Sequence, residues 1–175
     1  MPRAMVSEEL AAYLLKNKDG IAEQFAAVVR LDPRIQTADT LPKEEVLDHI
    51  PALLESLAIE LTLPEAASHD CPTVENARAH GLHRWQQHYR LDEILREYAL
   101  LRQVIMFRIV QFEKVQLFEP EDRHSAARTL HDLIDEVMIV STSEFARHIQ
   151  ESGSLQDPES PDPTLPRNEP PAAPP

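Results

Sequence analysis

Between Ser7 and Asp32 the apolar residues Leu10, Leu14, Ile21, Phe25 and Val28 recur at the spacing of one helix face. Ser7 suits the N-cap, Glu8 and Glu9 suit the first turn, Asp32-Pro33 ends the stretch, and Asp19-Gly20 is its weak point. A second pattern starts at Thr40-Leu-Pro42 and passes Val46 and Leu47. With Asp48 as cap and Pro51 in the first turn, it resumes through Leu53, Leu54, Leu57, Ile59 and Leu61 to Pro64. Residues 66–72 are polar and broken, the mark of a loop. A third helix opens at Thr73 and passes Trp85. After a break near Tyr89, a fourth runs from Asp92 toward Phe118, long enough to be a bundle spine. Glu119-Pro120 stops it. The fifth repeats Ala127, Leu130, Ile134, Val137, Ser141, Phe145 and Ile149 close to every 3.5 residues and ends at Gly153. Beyond it, Ser, Pro, Asp and Glu leave almost nothing able to enter a core. No run alternates as a strand would. The pattern predicts an all-α fold: one bundle of about five helices over residues 1–150, up-down in the simplest case, and a disordered proline-rich acidic tail over 151–175.

Composition narrows the chemistry. A chain of 175 residues with 42% hydrophobic content supports one core. Its net charge of -13 repels phosphate backbones and anionic lipid heads, so neither nucleic acid nor membrane is an expected partner. The single cysteine, Cys71, excludes an internal disulfide, and no Cys/His spacing suggests a structural metal. Three glycines argue against a phosphate-cradling loop. The start carries no signal-peptide pattern, and the most apolar window, Ile105 to Val115, is cut by Arg108, Gln111 and Glu113, which points to a cytoplasmic protein.

Two polar clusters could carry function. His80, His83 and His88 surround Trp85, and His80, His83, Arg84 and His88 read as one helical stripe. They are candidate ligand or switch residues, set against the plainer reading of surface and half-buried side chains on a bundle helix. Arg84, Glu97 and Arg102 form the second cluster. A hairpin turning near Tyr89 brings Arg84 toward Glu97, which predicts a partly buried polar network; the alternative is a solvated face. Cys71 lies beside His69 without an oxyanion-hole or glycine-turn signal, and Ser141, Thr142 and Ser143 suit close helix packing. No catalytic residue is assigned. Leu130, Ile134, Val137, Phe145 and Ile149 on the fifth helix, with Leu101, Val104, Ile105, Ile109 and Phe112 on the fourth, offer more apolar surface than a monomer need bury. They predict a homodimer interface, set against the reading that both stripes are covered inside the monomer by the first two helices.

The segment His80-Gly81-x-x-Arg84, followed by Tyr89-Arg-Leu-Asp92-Glu93-Ile-Leu-Arg96-Glu97-Tyr-x-Leu-Leu101-Arg102, resembles the N-terminal sensory domain of stressosome co-antagonist proteins and bacterial sensor histidine kinases. His49-Ile-Pro51-x-Leu-Leu54 and Leu130-His-Asp-Leu-Ile134-Asp135-Glu136 extend the likeness over residues 7–150. The resemblance implies a globin-like, self-associating sensory module without catalysis or cofactor, serving stress or two-component signalling. Its kinase or STAS output domain does not follow here, so the expected action is binding, to itself and to an unidentified signalling protein. Two alternatives remain: a small-ligand or haem sensor using His80, His83 or His124, and a histidine phosphotransfer protein using His80-Gly81 or His131-Asp132. The family favours a small residue before Tyr89, where this chain has His88, so the turn there is expected to differ.

Overall fold

The structure, a computed structural model, describes residues 3–47, 49–63, 72–114 and 119–154. Asp48, His69, Cys71 and 155–175 lie outside these residues, and so do the cap, loop, thiol and tail read there. All regular elements among the described residues are helical: α1 Arg3–Lys16, α2 Lys18–Leu31, a 3-10 turn Thr37–Thr40, α3 Lys43–Leu47, α4 Ile50–Thr62, α5 Pro72–Gln86, α6 Leu91–Glu113 and α7 Pro120–Ser154. None is long and apolar enough to cross a membrane.

The first helical stretch is two helices, and it breaks at Asn17 rather than at Asp19-Gly20. Asn17 Nδ2 donates to the Tyr13 carbonyl at 2.7 Å, while the Asn17 backbone N–H reaches the Tyr13 and Leu14 carbonyls. The side-chain amide and the backbone N–H of Asn17 thus share the Tyr13 carbonyl at the point where the helix breaks. Gly20 continues into α2, where its carbonyl accepts from Arg108 Nη2 at 3.0 Å. Gly153 does not end the last helix either, since α7 runs through Ser154.

The turn between α5 and α6 is a Schellman motif. His88 takes the left-handed conformation at φ 60°, His88 N–H donates to the Trp85 carbonyl, and Tyr89 N–H donates to the Arg84 carbonyl. Glycine ordinarily fills that position, because a Cβ crowds the following carbonyl there. The motif's usual side-chain contact is also present, with the Arg84 guanidinium 4.8 Å from the centre of the Tyr89 ring.

Packing follows the apolar seams. α7 lies chiefly against α5 and α6, and α1 against α4, with α6 reaching α2 on its other side. At the α5/α7 contact a Cβ on Gly81 would stand 2.2 Å from the Ser141 carbonyl oxygen, so glycine lets the two backbones touch. Farther along, Trp85 stacks on His148 with ring centres 5.0 Å apart. Leu101, Ile105 and Ile109 of α6 meet Leu130, Ile134 and Val137 of α7 in one core with Leu14, Phe25 and Leu57.

Candidate functional site

α6 presents Glu93 and Glu97 one turn apart on its buried face, and each carboxylate organises backbone from the 35–49 segment. Glu93 accepts from the N–H groups of Gln36 (2.8 Å) and Thr37 (3.1 Å), from Thr37 Oγ1 (2.9 Å), and from the N–H of Arg90 (2.8 Å). It caps the 3-10 turn and its own helix together. Burial alone would raise its pKa, but the donors from Arg90, Thr37 and Gln36 outweigh that and hold it below the usual carboxylate range.

Glu97 accepts from Arg84 Nε at 2.9 Å and from the Tyr89 hydroxyl at 3.0 Å. The Arg84 side chain is fully buried, and its remaining nitrogens donate to the carbonyls of Glu45 (2.9 Å) and Val46 (3.2 Å) and to Gln87 Oε1 (2.7 Å). A cation at those carbonyls complements the C-terminal end of short α3. Burial, and after it the Glu97 charge, pushes the Tyr89 hydroxyl far up, so it stays a proton donor. The Arg84 and Tyr89 donors thus meet Glu97, Gln87 and backbone carbonyls.

His80 lies against this centre. Its ring packs against His49, tilted by 41° with centroids 3.7 Å apart, and meets Tyr98 edge-on. Nε2 stands 3.8 Å from Glu97 Oε2, too far to hydrogen-bond, and neither ring nitrogen has a partner among the described residues. Burial, then the nearby His49, Arg84 and His83, lowers its pKa well below 6.5, so the ring is neutral at pH 7. The cavity beside it has a volume of about 20 Å³, room for about one water molecule. These surroundings do not fit a haem.

The stripe of histidines is therefore divided. His80 and Arg84 point inward, whereas His83 and His88 are exposed, because His83 precedes Arg84 on the outer flank and His88 lies past the helix end. His124 and His131 are also exposed, on the solvent side of α7. No group of three or more His, Cys, Asp or Glu among the described residues could hold a metal ion.

Arg102 does not join Arg84 and Glu97. Its Nη2 donates to Asp135 on α7, since five residues beyond Glu97 the helix has turned to another side. The expected interface needs correction as well. Leu130, Ile134, Val137 and Phe145 are at most 3% exposed, covered within the chain by the helices around α7, and only Ile149 reaches solvent, at 51%. Leu101, Val104, Ile105, Ile109 and Phe112 are likewise core residues.

A different apolar face is open. The ion pairs Arg102–Asp135 and Arg123–Glu113 set α6 antiparallel to α7. The same register carries Leu95 to the level of Thr142 and Leu91 to that of Ala146. Leu91 (43%), Leu95 (42%), Ile139 (62%) and Ile149 (51%) are exposed along this pair, with half-buried Ala99, Thr142 and Ala146 between them. The pattern does not reveal this face, because its members fall between the two seams. Glu93 was also missed, although Arg90-x-x-Glu93 has the spacing of a capping box.

Neither a curated protein nor a solved structure matches the chain. A family model described as the RsbT co-antagonist protein rsbRD N-terminal domain matches residues 19–159, which takes in the 35–49 segment, the Arg84–Glu97 centre and all of α7. The chain belongs to this family of stress-signalling regulatory domains.

Proposed function

We propose that the domain is a non-catalytic regulator that acts by protein–protein contact, and that its docking face is the Leu91, Leu95, Ile139 and Ile149 surface of α6 and α7. The first occupant of that face is a second copy of the chain. The observation that carries this reading is the grouping of four large apolar side chains, each more than two-fifths exposed, on two adjacent helices.

Small residues between the anchors, Ala99, Thr142 and Ala146, allow another helix pair to approach closely. The nearby ion pair Arg102–Asp135 is internally neutral, so a chain of net charge -13 can meet its copy there with little local repulsion. The buried centre supports a regulatory rather than a catalytic role, because the Arg84, Glu97 and His80 side chains are closed to solvent. They hold the 35–49 segment in place and leave interaction to the surface. Light scattering on the full chain at micromolar concentration tests the reading. A mass near twice 19.9 kDa supports it, and a monomer at every concentration contradicts it.

A further inference from the structure

Next to the apolar face, a groove of about 560 Å³ runs between the 33–36 segment and the start of α6. Arg34, Arg90 and Arg96 line it together with Leu95 and Ala99. Three cations in one groove depart from the character of a chain with 30 acidic and 17 basic residues. Asp92 also lines the groove, and it and Asp32 hold the arginines. Asp32, itself buried, accepts from Arg34 Nε and Nη2 (3.0 Å each) and from Arg96 Nε (2.7 Å), and Asp92 accepts from Arg90 Nε (2.9 Å) and Nη2. Among the described residues, Nη1 of Arg34, Nη1 of Arg90 and both terminal nitrogens of Arg96 remain without a hydrogen bond. Arg34 and Arg90 keep 63% and 61% of their side chains exposed, so these donors are offered to an anion from solvent.

The path of α7 says which anion is nearest. With Ala146 level with Leu91, α7 continues to Ser154, about 12 Å past the start of α6 at 1.5 Å per residue. The described chain thus ends at Ser154 beyond the N-terminal end of α6, and residues 155–175 follow in sequence. They contain Asp157, Glu159, Asp162 and Glu169 against one basic residue, Arg167, and eight prolines. A proline-rich segment favours an extended form with little entropy left to lose, at about 3.1 Å per residue. Asp157, Glu159 and Asp162 would then follow one another at roughly 6–9 Å, against about 9 Å along α6 from Arg90 to Arg96.

We propose that the acidic segment 157–162 of the chain's own tail docks in the groove formed by Arg34, Arg90 and Arg96. Each exposed pair is weak alone, but a tether of a few residues holds the carboxylates at an effective concentration in the millimolar range. Leu95 and Ala99 belong both to the groove and to the apolar face. The docking itself does not rest on the function proposed above.

The test uses the full chain with Cys71→Ser and a nitroxide on Ser160→Cys, read by the intensities of ¹⁵N-labelled amides. The amides of Gln36, Leu95 and Ala99 should lose more than half their intensity at low salt. They should regain it in about 1 M NaCl, where the Debye length falls to about 3 Å, and in the double variant Arg34→Glu, Arg90→Glu. Equal broadening with and without the charge reversals, or none in either, overturns the proposal. A mixture of spin-labelled unenriched chain with unlabelled ¹⁵N chain should show no broadening; broadening there gives the groove to a second copy's tail and overturns docking within one molecule. The readout reports the tail's position whether or not the apolar face pairs.

Discussion

Arg84 and Glu97 meet at 2.9 Å with both side chains out of water, and the same guanidinium holds the last carbonyls of α3. A pair so placed is costly to break, because removing one partner leaves the other charge buried. Glu97→Ala should destabilise the fold by about 3–5 kcal/mol in urea denaturation, whereas a solvated pair would lose about 1 kcal/mol or less. The smaller figure would mean that water reaches Arg84.

His88 holds the turn at φ 60°, where a side chain is disfavoured and glycine is not. His88→Gly should stabilise by about 1 kcal/mol, since the exposed ring gives up little and the left-handed strain disappears. A destabilised variant would show that the His88 side chain holds a contact worth more than that strain.

The opposite glycine exchange should do harm. Alanine ordinarily improves a helix, but a Cβ at Gly81 meets backbone of Ser141, which cannot turn aside as a side-chain tip would. Gly81→Ala should therefore cost about 1–3 kcal/mol by prising α5 from α7. An unchanged or higher midpoint would contradict the backbone contact.

Acid should act first through His80. Its pKa in the folded chain lies well below 6.5, so the unfolded chain binds the proton more readily. Stability is whole above pH 6.5 and falls as pH drops below it, by at most about 1.4 kcal/mol per pH unit for one group, until the folded pKa is reached. The protonated ring would face His49, Arg84 and His83, with the Glu97 carboxylate 3.8 Å from its Nε2. Glu93 and Asp32 have lowered pKa values and lose their contributions only below 4.5 and 3.8 respectively. Stability measured between pH 7 and 5 should slope in the wild type and flatten in His80→Leu. Equal slopes would assign the loss to another group.

Periodicity made the seams of α6 and α7 readable, and the break before Tyr89 made the Arg84–Glu97 pairing readable, because a hairpin brings residues at equal distance from its turn together. That same reasoning misplaced Arg102, since distance from the turn does not say which side of the helix a residue occupies. The break at Asn17 coincides with a side-chain amide sharing the Tyr13 carbonyl, a local bond that leaves the apolar spacing on either side unchanged. The assignment of Leu130 and Phe145 to an interface failed for a related reason: a seam shows that a face is covered, and not by what.

Pairing of two copies through α6 and α7 is tested by sedimentation equilibrium on the wild type and on the double variant Leu95→Glu, Ile139→Glu. Both positions are at least 42% exposed, so the variant should keep the wild-type melting curve as proof that the fold is intact. The wild type should sediment as a dimer and the variant as a monomer at the same micromolar concentration. A wild type that remains a monomer, or a variant that remains a dimer, would contradict this pairing.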